Sequence, residues 1–136
     1  MTLTDTGPLY ALLDADQTAN HARCVAAVSA LPLPLITTLP CFTEAMYLVG
    51  RKLGYRGQEA LWEMYAQGQL AIHECSAVER RRMRSLMAQY QDTHTDLADA
   101  SLVAAAETLR TRRIFTLDSH FFAYRLANSD AFEVTP

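Results

Sequence analysis

Asp96 and Asp99 lie in the stretch HTDLADASLVAAAE, residues 94–107, which is almost wholly small or apolar after Leu97. A run that is apolar on nearly every face reads as a helix buried in a core rather than one lying on a surface. With 3.6 residues per turn, Asp99 shares a stripe with Leu102, Val103 and Ala106, and Asp96 with Ala100, Val103 and Glu107. A carboxylate on a buried stripe needs a cation, a set of donors or a proton. Asp5 and Asp118 each follow a β-compatible segment and precede a turn signal, and Glu44 is the only charge between Cys41 and Val49. Carboxylates gathered in one pocket repel each other, so without a cation some would hold a proton. Hard oxygen ligands with few His or Cys select Mg²⁺ or Mn²⁺ over zinc. Such a site can activate water and stabilise in-line displacement at phosphorus.

The elements that must position these acids can be read in order. Residues 2–5 form a short strand, and Thr6-Gly7-Pro8 turns into a helix, Gly allowing the tight turn and Pro suiting a first helical position. A second helix is expected over 16–31, ended by Pro32 and Pro34. Residues 35–38 are an internal strand candidate. The next helix opens at Pro40 and stops at Gly54. Another helix follows Gly57 and ends near Gly68, residues 70–74 alternate as a strand, and 77–91 form a charged helix. The buried helix leads into a strand at 113–117, a short helix runs through His120, Phe121 and Phe122, and 132–134 form an edge strand. Strands alternating with helices predict an α/β fold with a parallel sheet covered on both faces.

In open parallel sheets ligands bind beyond the carboxyl ends of the strands, where the strand order reverses. If the strands ending at Asp5 and Asp118 are neighbours, their aspartates converge there. Asp96 and Asp99 begin the helix before the second of those strands. On the expectation that a helix start lies at the far edge of the sheet, they need an irregular crossover, or a helix tucked beside the reversal point, to join in.

The chain has 136 residues, enough for one domain with a real core. Its net charge of −3 gives no bulk electrostatic reason for nucleic-acid binding, so such a ligand must be held by local features or metal ions. No apolar run approaches the ~20 residues of a membrane span. The N-terminus lacks the pattern of a signal peptide. Cys24, Cys41 and Cys75 are odd in number and lack a CxxC spacing, which suits reduced thiols of a cytoplasmic protein.

TDTGPL near the N-terminus, TEAMYL at 43–48, DLADASLVAAAE at 96–107 and TLDSHFF at 116–122 together resemble the PIN-domain family, and within it the VapC-type toxins of toxin–antitoxin pairs. The resemblance spans nearly the whole chain. It implies a Rossmann-like three-layer sandwich around a mainly parallel five-stranded sheet, and a Mg²⁺- or Mn²⁺-dependent endoribonuclease. It matches Asp5, Glu44, Asp99 and Asp118 to the family's acidic quartet, Asp96 to a frequent extra acid, and Thr6 and Thr116 to supporting hydroxyls. It also implies an RNA substrate, a homodimer, and an antitoxin whose tail fills the acidic groove with a basic side chain. Arg80, Arg81, Arg82 and Arg84 are the candidate substrate contacts.

Bland readings compete at each position. Asp96 and Asp99 could form an acidic capping box, Asp118 could cap the helix after it, and Glu44 could pair with Arg51. The arginine run could be a solvated face, His73 a satisfied structural histidine, and Trp62 with Tyr65 a core or subunit contact. His94 with Asp96 and Asp99 could imitate part of an iron site. Asp5-Thr6-Gly7 also matches an aspartic-protease motif, but that fold is all-β. A haloacid-dehalogenase-type phosphotransferase needs an acid where Gly7 stands. A receiver domain needs a late strand-end Lys, and the only Lys is Lys52. The remaining alternatives are a catalytically weak RNA- or protein-binding module and another metal-dependent phosphoesterase.

Overall fold

A computed structural model describes residues Met1–Pro136. Five strands, β1 (Thr2–Thr4), β2 (Leu35–Thr38), β3 (Leu70–His73), β4 (Arg113–Phe115) and β5 (Glu133–Thr135), form one sheet in the order β3-β2-β1-β4-β5. Every pairing is parallel. The helices are α1 (Thr6–Leu13), α2 (Thr18–Val28), α3 (Leu39–Leu53), α4 (Tyr55–Ala66), α5 (Ala77–Gln89) and α6 (Leu97–Leu109). From β1 the chain builds outward to β2 and β3, then returns to add β4 and β5 on the other side. The strand order therefore reverses between β1 and β4, and it is beyond the carboxyl ends of strands at such a reversal that open parallel sheets bind ligands.

Side chains alternate across the sheet and feed two apolar layers. Leu3 and Ile114 pack with α6, Phe121, Tyr124 and Phe132 on one side, while Leu35, Leu70 and Phe115 pack with Leu9, Phe42, Val49 and Leu61 on the other. The strands are short and helices cover both faces, so the buried threonines of β1 and β2 must be satisfied internally: the hydroxyls of Thr2, Thr4 and Thr37 donate to the carbonyls of Pro32, Thr2 and Thr4. Every residue from Ala98 to Ala106 is buried, as the all-round apolar pattern of α6 requires. No helix is long and apolar enough to cross a membrane.

Several boundaries differ from the sequence reading. α2 covers only Thr18–Val28, α5 ends at Gln89, and β4 stops at Phe115, before Thr116 and Leu117. The final edge strand is shifted one residue, to Glu133–Thr135. α4 begins at Tyr55, directly after Gly54 (φ 67°), so Gly57 lies inside the helix rather than before it. A Cβ at Gly57 would come within 2.6 Å of Leu53 Cβ, so this glycine permits the close approach of α3 and α4.

Of the two expected routes, the irregular crossover is not needed, because α6 itself is tucked beside the reversal point. A helix feeding a parallel strand descends antiparallel to it, so α6 starts at the carboxyl edge and ends where β4 begins. Thr38 Oγ1 at the end of β2 lies 2.6 Å from Ser101 Oγ. Cys41 Sγ in the first turn of α3 touches both Asp5 Oδ1 (3.9 Å) and the Ala98 carbonyl (3.7 Å). The first turn of α6 thus sits beside the end of β1.

Candidate metal centre

Asp5 follows the last residue of β1 and caps α1, its Oδ1 accepting from the Thr6 amide at 2.7 Å. Its Oδ2 accepts from Thr116 Oγ1, 111 residues away, also at 2.7 Å. The same Thr116 hydroxyl accepts from the Asp118 amide at 3.0 Å. One threonine therefore ties the ends of β1 and β4 together and sets the register of their two acids. Thr6 Oγ1 lies 3.2 Å from Glu44 Oε2 on the second turn of α3. That contact brings an exposed carboxylate to the rim beside a buried one. Glu44 has no ion pair with Arg51, whose guanidinium lies over the Tyr47 ring, 5.9 Å from its centroid.

Asp99 is 7 % exposed and Asp5 8 %, so both are buried carboxylates. Asp96 is the exposed N-cap of α6, its Oδ1 accepting from the Asp99 amide at 2.8 Å. The reciprocal half of a capping box does not form. Asp99 instead accepts from the Tyr124 hydroxyl at 2.7 Å through Oδ2, and that hydroxyl lies 2.9 Å from Thr95 Oγ1. Asp118 caps the 3-10 turn Ser119–Phe122, accepting from the His120 amide at 2.9 Å, and His120 Nδ1 lies 3.3 Å from the same oxygen. One ligand atom each from Asp99, Asp118 and His120 can be chosen so that all lie within 4.8 Å of one another.

The electrostatics are those of an anionic pocket with no fixed counter-charge. No Lys or Arg is ion-paired with any of these acids. Burial pushes the Asp5 carboxyl above its ordinary value, and Asp118 and Glu44 add repulsion against the hydrogen bonds from Thr116 and Thr6. Burial also raises Asp99, to about 7, with Asp96, Asp5 and Asp118 adding to the rise and the Tyr124 hydrogen bond opposing it. Both shifts arise because burial strips the ionised form of solvation and the neighbouring carboxylates repel it. A set of carboxylate oxygens short of positive charge suits a hard divalent ion. Cys41, its thiol pushed up to about 12 by burial and then by Asp5, is no nucleophile.

Of the arginine run on α5, Arg80, Arg81 and Arg84 are exposed, and Arg82 is paired. Arg82 is bonded through Nε and Nη2 to Glu107, at 3.0 and 2.9 Å, and Glu107 also accepts from the Ala127 amide. Glu107 lies eight residues beyond Asp99 on α6, or about 12 Å along the axis. Arg80 reaches the Cys75 carbonyl at 3.3 Å but remains an exposed cation, as do Arg81 and Arg84. His73 pairs with the buried Glu79 at 2.8 Å, which matches its structural reading, and Glu79 closes a capping box with Ser76. Trp62 packs edge-on against Phe42 yet is 47 % exposed, so it is not a core residue in the isolated chain.

Tyr124, Thr95 and His120 escape the sequence reading. A histidine two residues after Asp118 is a usable signal, but the pattern around Asp96 and Asp99 points to His94 instead. Nothing in the local sequence marks Tyr124, which meets Asp99 only because the 3-10 turn folds back over α6.

VapC26 of Mycobacterium tuberculosis, a ribonuclease, is 31 % identical over 135 residues, covering 98 % of this chain and 99 % of its own. Among solved structures, Mycobacterium tuberculosis VapC20, described as a sarcin-ricin loop cleaving toxin, superposes with a TM-score of 0.84 at 18 % identity over the full length of both chains. A toxin–antitoxin complex from Klebsiella pneumoniae gives a TM-score of 0.66 at 22 % identity, over 90 % of this chain and 91 % of the other. No family model matches the chain. Identity of this extent across the full length, with the five-stranded parallel sheet in common with VapC20, means that the chain belongs to the VapC family of ribonucleases.

Proposed function

We propose that this chain is the toxin of a toxin–antitoxin pair and hydrolyses internal phosphodiester bonds of RNA at Asp5, Glu44, Asp99 and Asp118. The observation that carries this reading is the buried Asp5–Asp99 pair, drawn from residues 94 apart in sequence, with no Lys or Arg ion-paired to either. Asp5, Asp99 and Asp118 are the residues that would hold Mg²⁺ or Mn²⁺, with Glu44 as a further ligand or as the base that orients water. A bound divalent ion would supply neutralisation of the phosphate charge and a lowered pKa for the attacking water. Thr116 and Thr6 keep Asp5 and Glu44 oriented, and Asp96 holds the first turn of α6 in place through its cap. Glu44, exposed on the rim, is placed to take the proton of a water approaching a phosphate from solvent. The new P–O bond then forms as the bond to the leaving ribose oxygen breaks, and that oxygen takes a proton from solvent.

Purified protein and a structured RNA test this. Cleavage should need Mg²⁺ or Mn²⁺, stop with a chelator, and be lost in Asp5→Asn while circular dichroism stays unchanged. Full cutting by Asp5→Asn, or cutting in excess chelator, would overturn the assignment.

The polyanionic substrate needs cations beyond the metal, and Arg80, Arg81 and Arg84 are the exposed candidates. The same acidic crevice suits a basic side chain from an antitoxin, since a guanidinium meets a carboxylate pair as a metal does. Co-expression of the neighbouring gene product should then suppress both cleavage and growth arrest. We further propose a homodimer, supported by the half-exposed Trp62 and Tyr65, which pack edge to face on α4, and by Tyr47, 60 % exposed on α3. Light scattering that returns the monomer mass at micromolar concentration would exclude it. Three cysteines without a disulfide accord with residence in the cytoplasm.

A further inference from the structure

His120 is the one nitrogen donor at the acidic crevice, and neither the acidic quartet nor the supporting hydroxyls include it. We infer that His120 is a ligand of the ion held by Asp99 and Asp118, and that it biases the site toward Mn²⁺ over Mg²⁺. This inference rests on the metal-dependent reading above. Its basis is geometric. Ligand atoms of Asp99, Asp118 and His120 lie within 4.8 Å of one another. Two donors on one ion with bonds of about 2.1 Å stand at most about 4.2 Å apart, so these atoms need close by only about half an ångström. The backbone is already arranged for this. Asp118 caps the turn that carries His120, and the His120 amide is bonded to the Asp118 carboxylate at 2.9 Å. The ring is half-exposed, and its one carboxylate contact is Asp118, itself a member of the proposed ligand set, with the Tyr124 ring 6.4 Å away. The contrast with His73 is direct, since that ring is paired with the buried Glu79.

Chemistry then gives the selectivity. Carboxylate and water oxygens suit Mg²⁺ and Mn²⁺, whereas an imidazole nitrogen favours first-row transition ions and adds little for Mg²⁺. A site of four carboxylates alone would discriminate weakly. Adding one imidazole shifts the balance to Mn²⁺.

Pulsed electron paramagnetic resonance on the Mn²⁺-loaded protein reads this without activity. Nitrogen modulation should appear in the wild type, change its frequencies on ¹⁵N-histidine labelling, and vanish in His120→Gln. By competition titration, His120→Gln should bind Mn²⁺ at least about tenfold more weakly, the lower end for disturbing even an outer partner of a metal site. Its Mg²⁺ affinity should be unchanged. Mn²⁺ bound without nitrogen modulation in the labelled wild type overturns the histidine ligand and leaves the four-acid reading standing. No Mn²⁺ bound at all overturns both. The labelled wild type remains decisive even if His120→Gln fails to fold.

Discussion

The metal-free protein should be least stable where its acids are ionised, and Asp99 allows the size of that effect to be worked out. Its carboxyl moves from 3.8 to about 7 on folding, chiefly through burial. At 1.36 kcal/mol per tenfold change in proton affinity, the full range is worth about 4 kcal/mol. The sign follows from linkage. The folded value lies above the unfolded one, so the stability from the bound proton is complete below about pH 4 and is lost as pH rises through about 7. Between pH 5 and pH 8 the loss has a ceiling of about 3 kcal/mol. Water at the mouth of the crevice and relaxation of neighbouring acids bring this nearer 2 kcal/mol. Asp5, raised by burial and by Asp118 and Glu44, works in the same direction.

Asp99→Asn replaces the charge with a neutral group of the same shape whose oxygen can still accept from Tyr124. In metal-free buffer at pH 8 it should therefore stabilise the protein by about 3 kcal/mol, or roughly 10 °C in melting temperature. At pH 5, where the unfolded carboxyl is already ionised, about 1 kcal/mol of that gain should remain. Saturating Mn²⁺ should reverse the order at pH 8, because the wild type binds the ion and the variant does not. Urea denaturation followed by circular dichroism at both pH values, with and without Mn²⁺, measures all of this. Refutation would be a metal-free stability flat from pH 5 to pH 8 together with an Asp99→Asn variant less stable than wild type at pH 8.

Other outcomes follow from single contacts. Tyr124→Phe keeps the ring packed on Phe121 and Tyr90 but leaves Asp99 Oδ2 and Thr95 without their partner, so denaturation should show a loss of about 1–2 kcal/mol. Unchanged stability would mean that the hydroxyl is replaceable by water. Arg82→Ala should cost stability by up to about 1 kcal/mol with little effect on RNA affinity, because its guanidinium is occupied by Glu107. Arg81→Ala and Arg84→Ala should leave stability unchanged and lower the salt dependence of RNA binding by about one ion each. Gly57→Ala should destabilise by about 1–3 kcal/mol through overpacking against Leu53, read as a lower urea midpoint at constant slope.

Much of the site is legible in the chain because each acid is marked by a local rule. Asp5 and Asp118 follow short β-prone segments, Asp99 interrupts an otherwise apolar helix, and Glu44 is the lone charge on its stretch. Parallel strands place such positions at one edge, and the order β3-β2-β1-β4-β5 makes the two strand-end acids neighbours. Helix direction is where the sequence reading fails. Treating the start of α6 as lying at the far edge demands an irregular crossover or a helix tucked beside the reversal point, and the second is found simply because an antiparallel descent into β4 brings Asp99 there. What stays hidden is long-range. The bonds of Asp99 to Tyr124, Asp5 to Thr116 and Arg82 to Glu107 join residues 25, 111 and 25 apart, and no periodicity encodes such partners. Helix propensity likewise gives no sign that Gly57 belongs inside α4, since its reason is the neighbouring helix.

Calorimetric titration of Mn²⁺ into chelator-treated protein at neutral pH tests most directly whether these separated acids share one ion. The wild type should bind with measurable heat and release protons, since Asp99 carries one near pH 7. Asp5→Asn and Asp99→Asn, each folded, should lose that binding. Equal binding by wild type and both variants, or none by the wild type, would contradict it.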